Sequence, residues 1–152
     1  MTEEIKIFNC DGNTQLIVPA DRKEFPVLRQ WILSIAAELD IGKSIQKKLL
    51  ISCDEIFTNI ASYAYPDGNG TVEVSIEFVS PTRELRIIFS DSGTAFDPLE
   101  ISDPDTGSAL SERKVGGLGM FMVKSMMDSV EYSRKDGKNI LILTKCLEKQ
   151  NK

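Results

Sequence analysis

The sequence predicts a two-layer α/β sandwich, in which a mixed, mostly antiparallel sheet carries its helices on one face. Three observations predict it. Apolar residues alternate with polar ones at Val72, Val74, Ile76 and Phe78, and again at Leu85, Ile87 and Phe89, which is the period of a half-buried strand. Two other stretches place apolar residues at helical spacing: Phe25, Leu28, Ile32, Ile35, Ala36 and Leu39, then Leu49, Leu50, Cys53, Phe57, Ile60, Ala61 and Ala64. The connections between neighbouring strands are short, which favours antiparallel pairing over the long crossovers that parallel strands need.

The elements follow in order along the chain. Residues 5–18 read as one or two short strands, with Ile5, Ile7, Leu16 and Val18 alternating around a turn at Asp11-Gly12-Asn13. Pro19-Ala20-Asp21 breaks that pattern, and a helix covers 22–39, with Gly42 after it. A second helix covers 43–64, and Pro66-Asp67-Gly68-Asn69-Gly70 ends it with turn residues. Strands cover 71–79 and 84–90, joined through Ser80-Pro81-Thr82. Residues 91–115 are polar and rich in Gly, Pro, Asp and Ser, a loop long enough to suggest a functional lid. A third helix starts near Gly117 and runs to about Met127. Strands at 130–134 and 139–146 form a closing hairpin around Lys135-Asp136-Gly137. No repeat and no low-complexity linker divides the chain, so residues 1–152 are read as a single domain.

Composition narrows the function. The chain has 18 basic and 23 acidic residues and a net charge of −5, a poor balance for direct nucleic-acid binding, which needs clustered Lys and Arg. It has no histidine, which removes histidine acid/base chemistry and histidine metal ligands. The three cysteines, Cys10, Cys53 and Cys146, include no CxxC pair and read as buried free thiols. No apolar run approaches the roughly 20 residues of a membrane span, and the start lacks the features of a signal peptide. The expected location is the cytoplasm, with no membrane contact.

Three segments can carry chemistry. In Asp54-Glu55-Ile56-Phe57-Thr58-Asn59, Glu55 and Asn59 lie one turn apart on the second helix, on a face opposite the apolar stripe. Such a pair is either a solvated polar face or a general base beside a Mg²⁺-ligating oxygen. Asp91-Ser92-Gly93 sits at a strand exit. It is either an ordinary turn, or a carboxylate for an exocyclic amine with a glycine that admits a flat ring. Gly116-Gly117-Leu118-Gly119-Met120 opens a helix, and free N–H groups at a helix start bind anions. The segment lacks the Gly-Lys-Ser/Thr ending of a Walker A loop and does not follow a strand as a Rossmann fingerprint does.

In order and in context these segments resemble the N, G1 and G2 boxes of the GHKL (HATPase_c) ATPase superfamily, and most closely its bacterial anti-sigma-factor serine/threonine-protein kinase branch. Val18-Pro19-Ala20-Asp21 with Leu28-Arg29, Ala64-Tyr65 after the N box, and Gly116–Lys124 with Met127-Asp128-Ser129-Val130 and Tyr132 extend the likeness over nearly the whole chain. The resemblance implies a Bergerat-type ATP-binding fold with residues 97–115 as the ATP lid. It implies Glu55 as general base, Asn59 as Mg²⁺ ligand, Asp91 at the adenine amino group and Gly93 beside the ring. Gly117, Leu118, Gly119 and Met120 would hold the phosphates, with Arg113 or Lys114 reaching one from the lid.

The same resemblance implies ATP and Mg²⁺ as cofactors. The implied partners are a sigma factor or similar regulator, and a small anti-anti-sigma-type antagonist with a phosphorylatable Ser or Thr. Many family members are dimers, and Trp31 is a candidate either for a homodimer surface or for the core. Two positions depart from the pattern: Ser62 replaces a usual histidine, and Lys138-Asn139 follow Gly137 where Gly-Thr is usual. Asn139 is a candidate for the contact that the threonine makes. The alternative function is a non-catalytic anti-sigma binding module, nucleotide-gated or constitutive. A histidine-kinase catalytic domain fits less well, for the chain has no phosphoacceptor histidine.

Overall fold

A computed structural model describes residues 13–100 and 117–147. Strand β1 (Asn13–Pro19) leads through a 3-10 turn at Arg22–Glu24 into helix α1 (Phe25–Glu38). Helix α2 (Lys43–Tyr63) is followed by β2 (Thr71–Val79) and β3 (Glu84–Asp91). After a 3-10 turn at Pro98–Glu100 come α3 (Gly117–Met126), β4 (Ser129–Lys135) and β5 (Lys138–Cys146). The strand order is β1-β2-β3-β5-β4, and all four pairings are antiparallel. Helix α2, the β2–β3 hairpin and the closing hairpin stand within a residue of their expected bounds, and the helix expected over 22–39 divides into the 3-10 turn at Arg22–Glu24 and α1. The expected Asp11-Gly12 turn and any strand before it lie outside the described residues.

Local chemistry explains the ends. Asp21 caps the 3-10 turn by accepting from the Lys23 N–H at 3.1 Å. Helix α1 closes on a left-handed Asp40 (φ 57°). The Ile41 N–H bonds Ala36 O at 2.9 Å and the Asp40 N–H bonds Ala37 O at 3.2 Å, the pattern of a Schellman end with an aspartate in the place that glycine more often takes. The closing hairpin turns on Asp136 (φ 52°) and Gly137 (φ 77°), the two positive φ values of a type I′ turn.

Alternation then builds the core. Val72, Val74 and Ile76 of β2, Leu85, Ile87 and Phe89 of β3, and Leu141 and Leu143 of β5 all point to the helix side and are buried. They meet Leu28, Ile32 and Ile35 of α1, Leu49, Cys53, Ile56 and Phe57 of α2, and Met120 and Val123 of α3. Trp31 packs half-buried against this core. Cys53 is buried as expected, but Cys146 is exposed. The parity of β5 decides this: Leu141 and Leu143 face the helices, so the even positions, 146 among them, face away.

The helix-side parity does not stop at the apolar residues. The register aligns Val18, Val72, Asp91, Asn139 and Arg134 in one row across the sheet. Two polar side chains, Asp91 and Asn139, therefore sit at the end of the face that builds the core, and both are buried.

Candidate functional site

Helix α2 supplies the first part of the site. Its buried positions are Leu49, Ser52, Cys53, Ile56, Phe57 and Asn59. The buried face is thus turned toward Asn59, and the expectation that Glu55 and Asn59 share a face opposite the apolar stripe needs correcting. Asn59 lies among the ends of β3 and β5 and the Phe96 loop, and Glu55 has a second neighbour. Helix α3 packs on α2, and a methyl group at Gly119 would overlap the Glu55 carboxylate. That side of α2 is covered as well as the side toward the sheet. Asn59 is 7% exposed, and its Nδ2 has no hydrogen-bond partner among the described residues. Leaving a buried amide unpaired costs about 1–3 kcal/mol, so this group marks a place where local stability is given up.

Glu55 is half-buried one turn before Asn59. Burial raises its pKa above the ordinary 4.5, and the charge of Asp54 adds to the rise. The Asn59 amide opposes it, favouring the charged form from close by without completing a well-aligned hydrogen bond. A carboxylate so placed holds a proton more readily than a surface glutamate, as suits a group that must accept one. The Gly119 contact puts it against the first turn of α3, whose leading N–H groups have no partner within the helix. Gly117 and Leu118 form that leading turn. Met120 is 1% exposed and belongs to the core, so only its backbone can serve an anion. Residues 101–115 of the expected lid, Arg113 and Lys114 among them, and Gly116 lie outside the described residues.

The second part is a pocket between the C-terminal half of α2 and the ends of β3 and β5. It holds 390 Å³ of space, part of it open to solvent. Its walls are largely apolar, with Ile56, Ile60, Phe89, Phe96, Pro98 and Leu141, and its polar groups are Asn59, Asp91, Asn139 and Tyr132. An apolar slot with a few convergent polar groups is the form that flat organic ligands fill. Asp91 Oδ1 accepts from the Gly93 N–H at 2.9 Å and from Asn139 Nδ2 at 2.9 Å, while no described residue donates to its Oδ2. Gly93 has a packing reason of its own: any Cβ there would overlap the Ala64 backbone, and the next residue, Thr94, donates to Ala64 O at 2.7 Å. The close approach seen at this glycine is thus between the loop and the end of α2.

Asn59 and Asp91 share the pocket, Glu55 stands beside it against Gly119, and Gly93 supports the loop that forms one wall. Tyr132 and Phe96 are pocket residues that no spacing argument singled out. Tyr63 packs on Phe96 with ring centroids 5.7 Å apart and steadies that wall.

Residues 18–145 match the histidine kinase-like ATPase domain. The chain belongs to this family. Within the histidine kinase-like ATPases it falls in the anti-sigma-factor kinase branch. It is 32% identical over 139 residues to the serine-protein kinase RsbW of Halalkalibacterium halodurans, covering 89% of this chain and 83% of that protein. It is 28% identical over 114 residues to the serine/threonine-protein kinase BtrW of Bordetella bronchiseptica, covering 75% of this chain and 80% of that protein. The fold is similar to that in the SiaB-SiaC complex from Pseudomonas aeruginosa, with a TM-score of 0.58 at 13% identity, over 89% of this chain and 91% of that one. Among the described residues no helix is long and apolar enough to cross a membrane.

Proposed function

We propose that the chain is a cytoplasmic serine/threonine-protein kinase that binds ATP with Mg²⁺ and phosphorylates a small anti-anti-sigma-type protein. In its other state it sequesters a sigma factor or a similar regulator. The observation that carries this reading is the joint placement of Glu55, Asn59 and Gly119. A half-buried carboxylate lies under the opening turn of α3, one helical turn from a buried amide that lines the pocket and whose nitrogen has no partner among the described residues.

The residues fit the groups they would hold. The Asn59 side-chain oxygen is a hard donor of the kind Mg²⁺ takes, on a buried residue whose amide nitrogen has no partner among the described residues. The opening turn of α3 offers N–H groups that have no partner within the helix to phosphate oxygens. Asp91 Oδ2 is an acceptor for an exocyclic amine at one end of an apolar slot. Bound Mg²⁺ would supply charge neutralisation across the phosphates. The chain's own part is positioning and proton transfer. Glu55 accepts the proton of the attacking serine or threonine hydroxyl, the new O–P bond forms at that oxygen, and ADP departs. The names of the relatives support the kinase reading, and the presence of Glu55 beside the opening turn of α3 supports catalysis over a non-catalytic binding module.

The test is transfer of label from γ-³²P-ATP with Mg²⁺ to any small antagonist protein encoded beside the gene, with Glu55→Gln as control. Label on the antagonist that depends on Glu55 is the expected result. Nucleotide binding without transfer, unchanged in Glu55→Gln, would leave only the anti-sigma clamp.

A further inference from the structure

The residue that departs from the family pattern, Asn139, is the most heavily bonded polar side chain in the pocket. Its Nδ2 donates to Asp91 Oδ1 at 2.9 Å and to Thr94 O at 2.9 Å. Its Oδ1 accepts from Tyr132 Oη at 2.6 Å and from the Phe96 N–H at 3.3 Å. An amide has two donor hydrogens and two acceptor lone pairs, so the capacity of Asn139 is filled from within the protein. Nothing is left for a ligand, and the expectation that Asn139 takes over a hydroxyl's contact does not hold on these bonds.

What the four bonds do is fix two things at once. They consume Oδ1 of Asp91 together with the Gly93 N–H, which sets the plane of the carboxylate and leaves Oδ2 as its one unfilled oxygen. They also tie the loop at Thr94 and Phe96 to β5, so that the Phe96 ring stays in the pocket wall. Arg134 adds a further tie by donating to Gly93 O at 2.8 Å. Tyr132 reaches Asn139 from the neighbouring strand, and both are pocket residues. An Asp91 held through Oδ1 by two donors of a buried network is fixed in orientation, whereas one held by a single backbone N–H is free to turn.

We propose that Asn139, held by Tyr132, is a positioning and specificity residue. It does not touch the nucleotide; it orients Asp91 so that a single carboxylate oxygen meets a base that offers an amine, and it rejects a base that offers a carbonyl oxygen at the same place. This rests on the reading of the pocket as a purine-nucleotide site. The consequence is a preference for ATP over ITP, whose bases differ at that position by amine against carbonyl, and this preference depends on Asn139 and Tyr132.

Calorimetric titration of the whole chain with ATP-Mg²⁺ and ITP-Mg²⁺ tests it. In the unaltered protein ATP binds more tightly. Asn139→Ala is expected to narrow the ATP/ITP ratio by about tenfold or more, the effect of one bond to a charged group, through weaker ATP binding. Tyr132→Phe removes one hydroxyl and is expected to narrow the ratio in the same direction by a smaller factor. The double variant should lose less than the two single losses combined, since both act through one network. A purely structural role weakens both nucleotides by the same factor and leaves the ratio unmoved, and that result overturns the proposal. If Asn139→Ala does not fold, an unchanged ratio in Tyr132→Phe overturns it alone. An unaltered protein that binds neither nucleotide sinks the purine-site reading and this inference together. One that binds ATP while its variants keep the full ratio sinks the inference only.

Discussion

The two halves of the site are built in opposite ways. Around Asp91 every bond that can be closed within the protein is closed: Asn139 is saturated, Tyr132 and Phe96 are tied to it, and Arg134 holds the loop. Around Glu55 the groups are left unfinished, with a desolvated carboxylate and an amide nitrogen that bonds nothing. The first half has the form of a surface that reads shape and donor pattern, where rigidity gives discrimination. The second has the form of a site that awaits charge, where unsatisfied groups gain their partners only when a ligand arrives. Stability is concentrated in the one and withheld from the other, as expected where function sets local chemistry against folding.

The largest effect should appear in the unfinished half. Glu55→Gln keeps shape and removes the proton acceptor, so phosphoryl transfer should fall by about 10²–10⁴-fold while ATP affinity changes little. A quenched-flow or label-transfer assay alongside a binding titration checks both. Transfer at an unaltered rate would show that the proton goes elsewhere and would dissolve the contrast between the halves.

Two glycines sharpen the contrast. Alanine at Gly93 meets the Ala64 carbonyl group, which is backbone and cannot yield, whereas alanine at Gly119 meets the end of the Glu55 side chain, which can turn away. Gly93→Ala should therefore lower stability by about 1–3 kcal/mol or more, as overpacking does. Gly119→Ala should cost less stability and more transfer activity, because the side chain that yields is the base. Thermal melts and transfer rates of the two variants should rank in opposite orders.

The asparagines give a smaller version of the same test. Asn139→Ala strips partners from Asp91 and should cost about 1.5–3 kcal/mol. Asn59→Ala removes a buried amide whose nitrogen has no partner among the described residues, so it should be neutral to stabilising, yet abolish Mg²⁺-dependent transfer. Urea unfolding of both, at matched salt, gives the comparison. An Asn59→Ala loss as large as that of Asn139→Ala would mean that Asn59 has structural bonds of its own.

How much of this could be read from the sequence differs between the halves too. Glu55 and Asn59 are one turn apart on one helix, so local periodicity was enough to pair them. Periodicity missed the burial of Asn59 because the groups around it come from parts of the chain distant in sequence, Phe89 and Asp91 of β3, Phe96 of the following loop, and Asn139 and Leu141 of β5. The partnership of Asp91 with Asn139 was only half legible. Each continues its strand's inward parity, Asp91 after Leu85, Ile87 and Phe89, and Asn139 before Leu141 and Leu143. Nothing local says that β5 enters the sheet beside β3 with these two residues in register, because the intervening loop, α3 and β4 are free to place it elsewhere. The strands and helices themselves are legible because their apolar periods are long, whereas the exposure of Cys146 follows from its parity on β5, which a count of cysteines does not carry.

The smallest effect is a pH dependence, and its sign separates the halves most cleanly. Burial raises the Glu55 pKa above 4.5, so the folded chain holds this proton more tightly than the unfolded chain does. The stabilisation from this group is therefore full below the ordinary value and is lost as pH rises through the raised one. Transfer requires the carboxylate free of its proton, so activity should rise across the same interval. Melting temperatures of the unaltered protein and Glu55→Gln, compared from below pH 4.5 upward, should show the former losing ground to the latter as pH increases. The transfer rate of the unaltered protein should climb over that range. A difference that stays flat with pH would mean that Glu55 is solvated in the folded chain, and the account of it as a base prepared by burial would fall. If the stability difference and the rate move in opposite directions, one group is carrying both, and the cost of its burial is tied to its use as a base.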